Sequence, residues 1–396
     1  MKKKIFSFLT VCFSFLLFFV IAEFFLRITK FNAPHYTRPD IHTGARLMEN
    51  AYYIHNKEGK SEGYINSKGI RDYEYEYEKS KNTYRILVFG DSYTEAMQVD
   101  LDSSFTKILE RKLNEYTSNP LVKYEVLNMG MSGYGTANSY KLYTSEGIKY
   151  NADLVILAFL TGNDFRNNSK ELDQSTSRPY FFLDANGKLK EDLSYKKNIE
   201  QRLTPIRNTF RILKNKSYLV SLIIQRKDLL FNQEKKNQAK ILDPSEKMNF
   251  RNDWKVYLKE PPEVWEEAFN TTFEIIKKFK NSVNENGSKF LLVTLTNSAQ
   301  ISDKLSDDLD RGLGKDKYDL ERPDKMLQKY SEENGITMLN LLKEFNQRYQ
   351  KEGVYFHGFE DNGGKGCDCH WNYDGHRLAG EILYNHLKNN LLISED

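Results

Sequence analysis

The sequence predicts a doubly wound α/β fold, a three-layer sandwich around about five parallel strands, behind one N-terminal apolar helix. Three observations predict it. Short, almost wholly apolar runs recur along the chain; without the alternation of a strand that has one wet face, each reads as a strand covered on both sides, as in a parallel sheet. Stretches of helical periodicity separate these runs, the alternation from which parallel sheets are built. Polar, glycine-bearing turns close the runs, at the carboxyl ends where such sheets hold their ligands.

The elements follow in chain order. Lys2-Lys3-Lys4 precede Ile5 to Ala22, a run broken only by Ser7, Thr10 and Ser14; Glu23 interrupts it and Phe24-Phe25-Leu26 resumes. About 20 apolar residues cross a bilayer as a helix. Basic residues ahead of the span favour a cytoplasmic N-terminus and place the rest of the chain outside. The competing reading is a cleaved signal ending near Val20-Ile21-Ala22. Both export the chain after about residue 30. Cys12 does not read as a lipoprotein cysteine, because Val11 precedes it. Residues 1–30 are therefore an anchor or signal, 31–82 a linker or N-terminal extension, and 83–396 the α/β domain. Within 31–82, Asp72 to Glu78 alternates acid with Tyr73, Tyr75 and Tyr77, which fits either an edge strand with tyrosines on one face or a solvated linker.

The strands are read at Arg85–Phe89, Tyr124–Asn128, Leu154–Phe159, Lys289–Leu295 and Ile336–Leu341. Phe105, Ile108, Leu109 and Leu113 recur at helical spacing, and Val264 to Val283 reads as an amphipathic helix. Residues 168–260, rich in Lys, Asn and Gln, break the alternation and read as an insertion, either a lid or substrate rim or surface decoration.

The chemistry-bearing residues lie in the turns. In Gly90-Asp91-Ser92-Tyr93-Thr94, Ser92 follows a strand and opens a helix, so its backbone N–H and the helix dipole face whatever binds there. A plain helix cap fits the same position, and Thr94 rules out the Gly-x-Ser-x-Gly elbow. A base is available in Cys367-Asp368-Cys369-His370-Trp371-Asn372, a loop before a helix. Asp368, two residues before His370, can orient the imidazole and stabilise its charged form. Asp361 or a backbone carbonyl are the other candidates for that task. His376, inside the helix, reads as structural. Gly133, in an unhindered turn, offers a backbone N–H, and Asn163 a side-chain amide; with the Ser92 N–H these make three donors for one oxyanion, each typically worth ~100- to 1000-fold in rate.

These segments resemble the blocks of the SGNH/GDSL hydrolase family. Gly90-Asp91-Ser92 is similar to the first block, Asn128 to Tyr134 to the second with the oxyanion glycine at Gly133, Gly162-Asn163-Asp164 to the third, and Asp368 to His370 to the last. Asn66-x-x-Gly69-x-Arg71 resembles the membrane-anchored bacterial members. The Asp-to-His spacing is two where the commonest pattern has three; the Asp-x-His-Trp-Asn form resembles a branch that includes proteins acting on O-acetylated exopolysaccharides. The resemblance implies a flavodoxin-like sheet, a Ser92–His370–Asp368 site, an acyl-enzyme passed to water or to a sugar hydroxyl, and an O-acylated glycan as substrate, with no cofactor. The rival from another class is a catalytically silent glycan-binding module on the same fold.

Other classes are excluded. A net charge of +3 from 58 basic and 55 acidic residues, unclustered, gives no footprint for nucleic acid. Cys367, Asp368, Cys369 and His370 lack the second ligand pair that a structural zinc site draws on. Gly130-x-x-Gly133-x-Gly135 matches no nucleotide-binding spacing. With three cysteines there is no disulfide framework, and Cys367 and Cys369 read as free thiols or as a labile pair.

Overall fold

The computed structural model describes residues 2–116, 119–227, 230, 252–360 and 364–389. Asp361 and residues 228–229 and 231–251 of the 168–260 insertion lie outside the described residues. The chain opens with α1 (Lys2–Thr29), an apolar helix that is exposed from Lys3 to Ile21 and long enough to cross a membrane. Two antiparallel hairpins follow, β1 (Thr37–Asp40) with β2 (Gly44–Leu47) and β3 (Tyr52–His55) with β4 (Ser61–Tyr64).

The central sheet takes β5 (Thr83–Phe89), β6 (Lys123–Asn128), β7 (Leu154–Leu160), β10 (Lys289–Leu295) and β11 (Met338–Asn340), all parallel, in the order β11-β10-β7-β5-β6. A third hairpin, β8 (Tyr180–Leu183) with β9 (Leu189–Asp192), belongs to the insertion. The helices used below are α2 (Ser92–Glu95), α3 (Phe105–Glu115), α4 (Thr136–Ser145), α5 (Pro205–Lys216), α6 (Glu263–Glu285), α7 (Leu342–Glu352) and α8 (Tyr373–Asn389). The predicted strand at 336–341 is shorter than read, pairing with β10 only through 338–340 at the sheet edge.

Side-chain alternation divides the core into two layers. Leu87, Phe89, Val155 and Leu157 pack with residues of α4 and α6, while Ile86, Val88, Ile156 and Ala158 pack with residues of α3, α7 and α8. Both faces are thus covered, which is why these runs are apolar throughout rather than alternating. The strand order reverses at β5, which has β6 on one side and β7 on the other. A crevice opens outside the carboxyl ends at such a switch point, and Ser92 follows β5 just as Asn163 follows β7.

Residues 72–78 form neither an edge strand nor a solvated linker. Tyr75 donates to Glu110 at 2.8 Å, Tyr73 donates to Asp102, and Tyr77 donates to Glu146. Ahead of them, buried Asp72 pairs with Lys107 of α3 at 2.8 Å and accepts from Asn128 N at 2.7 Å. Breaking a buried ion pair from one side typically costs ~3–5 kcal/mol, so this part of 31–82 is fastened to the sheet. Asn66 shapes the adjoining loop by accepting from Lys68 N and Ile70 N, with Gly69 at φ +73°. That loop aims buried Arg71 at the carbonyls of Glu95, the last residue of α2, and of Val99 beyond it.

Candidate active site

Ser92 is presented by a tight strand-to-helix turn. A Cβ on Gly90 would lie 2.8 Å from the carbonyl oxygen of Ala158 and 2.2 Å from Thr94 Oγ1, so only glycine fits between β5 and β7. Asp91 caps α2 by accepting from Tyr93 N at 2.9 Å. Ala96, at φ 57°, ends the helix after one turn and returns its N–H to the Ser92 carbonyl.

His370 arrives from the loop ahead of α8. Asn372 anchors that loop: its amide donates to the Tyr355 and Gly358 carbonyls, and its oxygen accepts from Asp374 N and Gly375 N at the start of the helix. Trp371 is fully buried and donates to Thr296 Oγ1 at 3.2 Å. The Tyr93 ring packs 5.0 Å from the His370 ring, and its hydroxyl donates to the Cys369 carbonyl at 3.0 Å. These contacts fix the imidazole so that Nε2 lies 2.8 Å from Ser92 Oγ. The two residues are 278 positions apart in the chain.

Glu58 holds the other side of the ring. Its Oε2 is 2.6 Å from His370 Nδ1, and its Oε1 accepts from the His370 backbone N–H. The network assigns the proton to Nδ1, leaving Nε2 to accept from the Ser92 hydroxyl. Burial alone would raise the Glu58 carboxyl, but the His370 hydrogen bonds and charge hold it below the usual carboxylate range. Glu58 sits in the loop between β3 and β4. A Cβ on its neighbour Gly59, at φ +66°, would lie 2.2 Å from the Gln98 carbonyl oxygen, so glycine lets the loop close onto the segment after α2. Sequence reasoning missed this residue, because a loop of His, Asn, Lys, Glu and Gly reads as a solvated turn.

Asp368 is where the expectation is corrected. The carboxylate set against Nδ1 is that of Glu58, while Asp368 Oδ1 accepts from Ser298 Oγ at 3.2 Å on the cleft wall. The physical reason is local. Cys367 and Cys369 are joined as a disulfide, with Cys369 N donating to the Cys367 carbonyl at 2.9 Å. This closed turn carries Asp368 toward Ser298. Of the two readings of Cys367 and Cys369, free thiols or a pair, the same bond makes them a pair and removes both thiolates as metal ligands.

The expected oxyanion donors are distributed as follows. Asn163 lines the cleft beside Ser92, with its amide donating to Asp91 Oδ2 at 3.2 Å. Burial and the neighbouring Asp91 charge push the Asp164 carboxyl well above its ordinary range. Gly133, at φ +80°, occupies an exposed turn closed by Tyr134 N on the Met131 carbonyl. Buried Glu95 steadies that turn through Ser132 N at 2.7 Å and the Ser132 hydroxyl. His376 is fully buried, stacked on Phe105, and desolvation lowers its pKa to about 3, which keeps it a neutral core residue.

The cleft measures about 200 Å³ and is lined by Glu58, Ser92, Asn163, Trp254, Asn297 and His370 among others. Trp254 comes from the described end of the insertion, so that segment reaches the rim.

No family model and no curated protein matches the chain. Several solved structures are similar to it. One is the acetyl xylan esterase AlAXEase, at 12% identity and TM-score 0.40, covering 76% of this chain and 99% of that one. Another is the lipase/acylhydrolase from Enterococcus faecalis, at 12% and 0.38, covering 78% and 96%. A third is the two-domain esterase CEX, active on acetylated mannans, at 9% and 0.40, covering 79% and 51%. At such identities no residue role carries over.

Proposed function

We propose that this protein is a membrane-anchored serine esterase or O-acyltransferase that acts, outside the cytoplasm, on acyl esters of a polysaccharide, acetyl foremost. The observation that carries the reading is the line Ser92 Oγ, His370 and Glu58, joined by contacts of 2.8 and 2.6 Å. A serine hydroxyl is a weak nucleophile until a base takes its proton. His370 Nε2 takes it as Oγ attacks the ester carbonyl, and Glu58 stabilises the imidazolium that forms. The Ser92 N–H, the second amide proton of Asn163 and the Gly133 N–H are the donors proposed for the oxyanion. His370 then gives the proton to the leaving sugar oxygen, which departs as a hydroxyl, and water or another hydroxyl releases the acyl group from Ser92.

The cleft volume supports a short acyl group, since sites for whole drug-sized ligands run to ~300–1,000 Å³. The three lysines that open α1, ahead of its apolar run, support an exported catalytic domain. The test has two parts. A chromogenic acetyl ester offered to the full chain and to Ser92→Ala must be cleaved by the first alone; equal rates refute the enzyme reading. Mass spectrometry of envelope glycans from cells with and without active protein then divides the outcomes. Acetyl gained in its absence identifies an esterase, and acetyl lost identifies a transferase.

A further inference from the structure

Helix α5 is amphipathic in the reverse sense from a helix of a water-soluble domain. Its polar side faces the protein: Asn215 Nδ2 donates to Met48 Sδ, and Arg211 lies beside Arg38. Its apolar side faces out, with Ile206 74%, Phe210 70% and Leu213 52% exposed. These positions, spaced by four and three, fall on one stripe of a helix. The stripe is bordered by Arg207, Lys214 and Lys216, and no acidic residue occurs between 205 and 216. Left in water, such a face would be an unsatisfied apolar surface.

The position of α5 indicates what covers it. Its C-terminus is latched to the last turns of α1. Arg27 donates to the Lys216 carbonyl and lies 4.9 Å over the Tyr218 ring. Glu23 accepts from Ser217 Oγ at 2.8 Å, Tyr218 N at 3.1 Å and Leu219 N at 3.0 Å, which satisfies the free N–H groups at the start of the next helix, over 218–227. The break that Glu23 makes in the apolar run is thereby explained. The segment from Ile5 to Ala22 rises about 27 Å, close to the ~30 Å of a hydrocarbon core. Glu23 and Arg27 therefore fall at the outer edge of a bilayer crossed by α1, and α5 at the level of its headgroups.

We propose that α5 is an interfacial helix lying in the outer surface of the same membrane. Ile206, Phe210 and Leu213 enter the acyl-chain boundary, and Arg207, Lys214 and Lys216 sit among anionic headgroups. The inference rests on the reading of α1 as a span. A helix crossing alone leaves a domain free to swing; a second, non-parallel contact fixes its tilt and hence the direction in which the Ser92 cleft faces.

The test uses the full chain in nanodiscs of phosphatidylcholine and phosphatidylglycerol, with Cys12→Ser and single spin labels at Ile206→Cys, Phe210→Cys and Leu213→Cys. Leu16→Cys in α1 is the lipid reference and exposed Lys329→Cys the aqueous one. Collision rates with oxygen and with a nickel chelate report depth. Expected is an oxygen-to-nickel ratio several-fold above that of the 329 label at all three α5 sites, approaching that of the 16 label. If the α5 labels match the 329 label while the 16 label is lipid-like, this proposal fails and the span stands. If the 16 label is also aqueous, both fail. Labels shielded from both reagents would mean that a protein surface covers the stripe, which also overturns the proposal.

Discussion

Glu58 and Asp368 both bring a carboxylate to the cleft, but from opposite ends of the chain and with different holds on it. Asp368 shares a loop with His370, and the Cys367–Cys369 turn carries it to Ser298. Glu58 is 312 positions away in sequence, on a hairpin docked against the segment after α2, and it receives both the backbone and the ring N–H of His370. The contrast is instructive. A neighbour in sequence shares the backbone of the group it must orient and can only reach it by folding back. A residue from a separate element can approach the ring in line. The extension at 52–64 thereby becomes part of the site's geometry, and does more than link the domain to α1.

Substitutions break or sharpen this comparison. Ser92→Ala sets the floor, with an expected loss on the order of 10⁶-fold in kcat on a small acetyl ester; a loss below tenfold would leave both carboxylates without a reaction to support. Glu58→Gln keeps shape and loses charge. It should cost roughly 10⁴-fold in kcat, the size seen when the acid behind a catalytic histidine becomes an amide. Asp368→Asn should cost less than about tenfold, since it removes neither contact that holds the imidazole. The reverse order of the last two losses would return the orienting role to Asp368.

Much of this arrangement was legible in the sequence, and the reasons are physical. Strands buried on both faces must be apolar throughout, so β5, β6, β7 and β10 could be read to within two residues from composition alone. β11 was over-read because it is an edge strand with only three residues paired. Ser92 and His370 stood out because both sit where strand or loop meets helix, and the structure brings them to 2.8 Å. Glu58 carried no such signal. Its partner is set by the docking of a hairpin, and the one hint, Gly59 at the closest approach to Gln98, has meaning only once that docking is known. The tyrosines of 72–78 misled for a related reason: their spacing of two suits a strand, but it also suits three phenols reaching three separate carboxylates.

The smallest effect separates the two carboxylates through stability. Hydrogen bonds and charge from His370 hold the folded Glu58 carboxyl below its ordinary value of 4.5. An unfolded chain therefore binds the Glu58 proton more readily than the folded one, and stability from this group rises with pH up to that ordinary value. It is fully present above about pH 4.5 and is lost as pH falls through the lower, folded value. Glu58→Gln removes the group, so the deficit in Tm that it shows at pH 5 should shrink as pH falls below 4.5. Because the carboxylate is partly exposed, the deficit should not exceed about 2 °C. Asp368→Asn, followed by thermal unfolding over the same range, is the control. If its deficit follows the same profile and that of Glu58→Gln is flat, the charge paired with the imidazole in the folded protein is the one two residues away, and the hairpin only covers it.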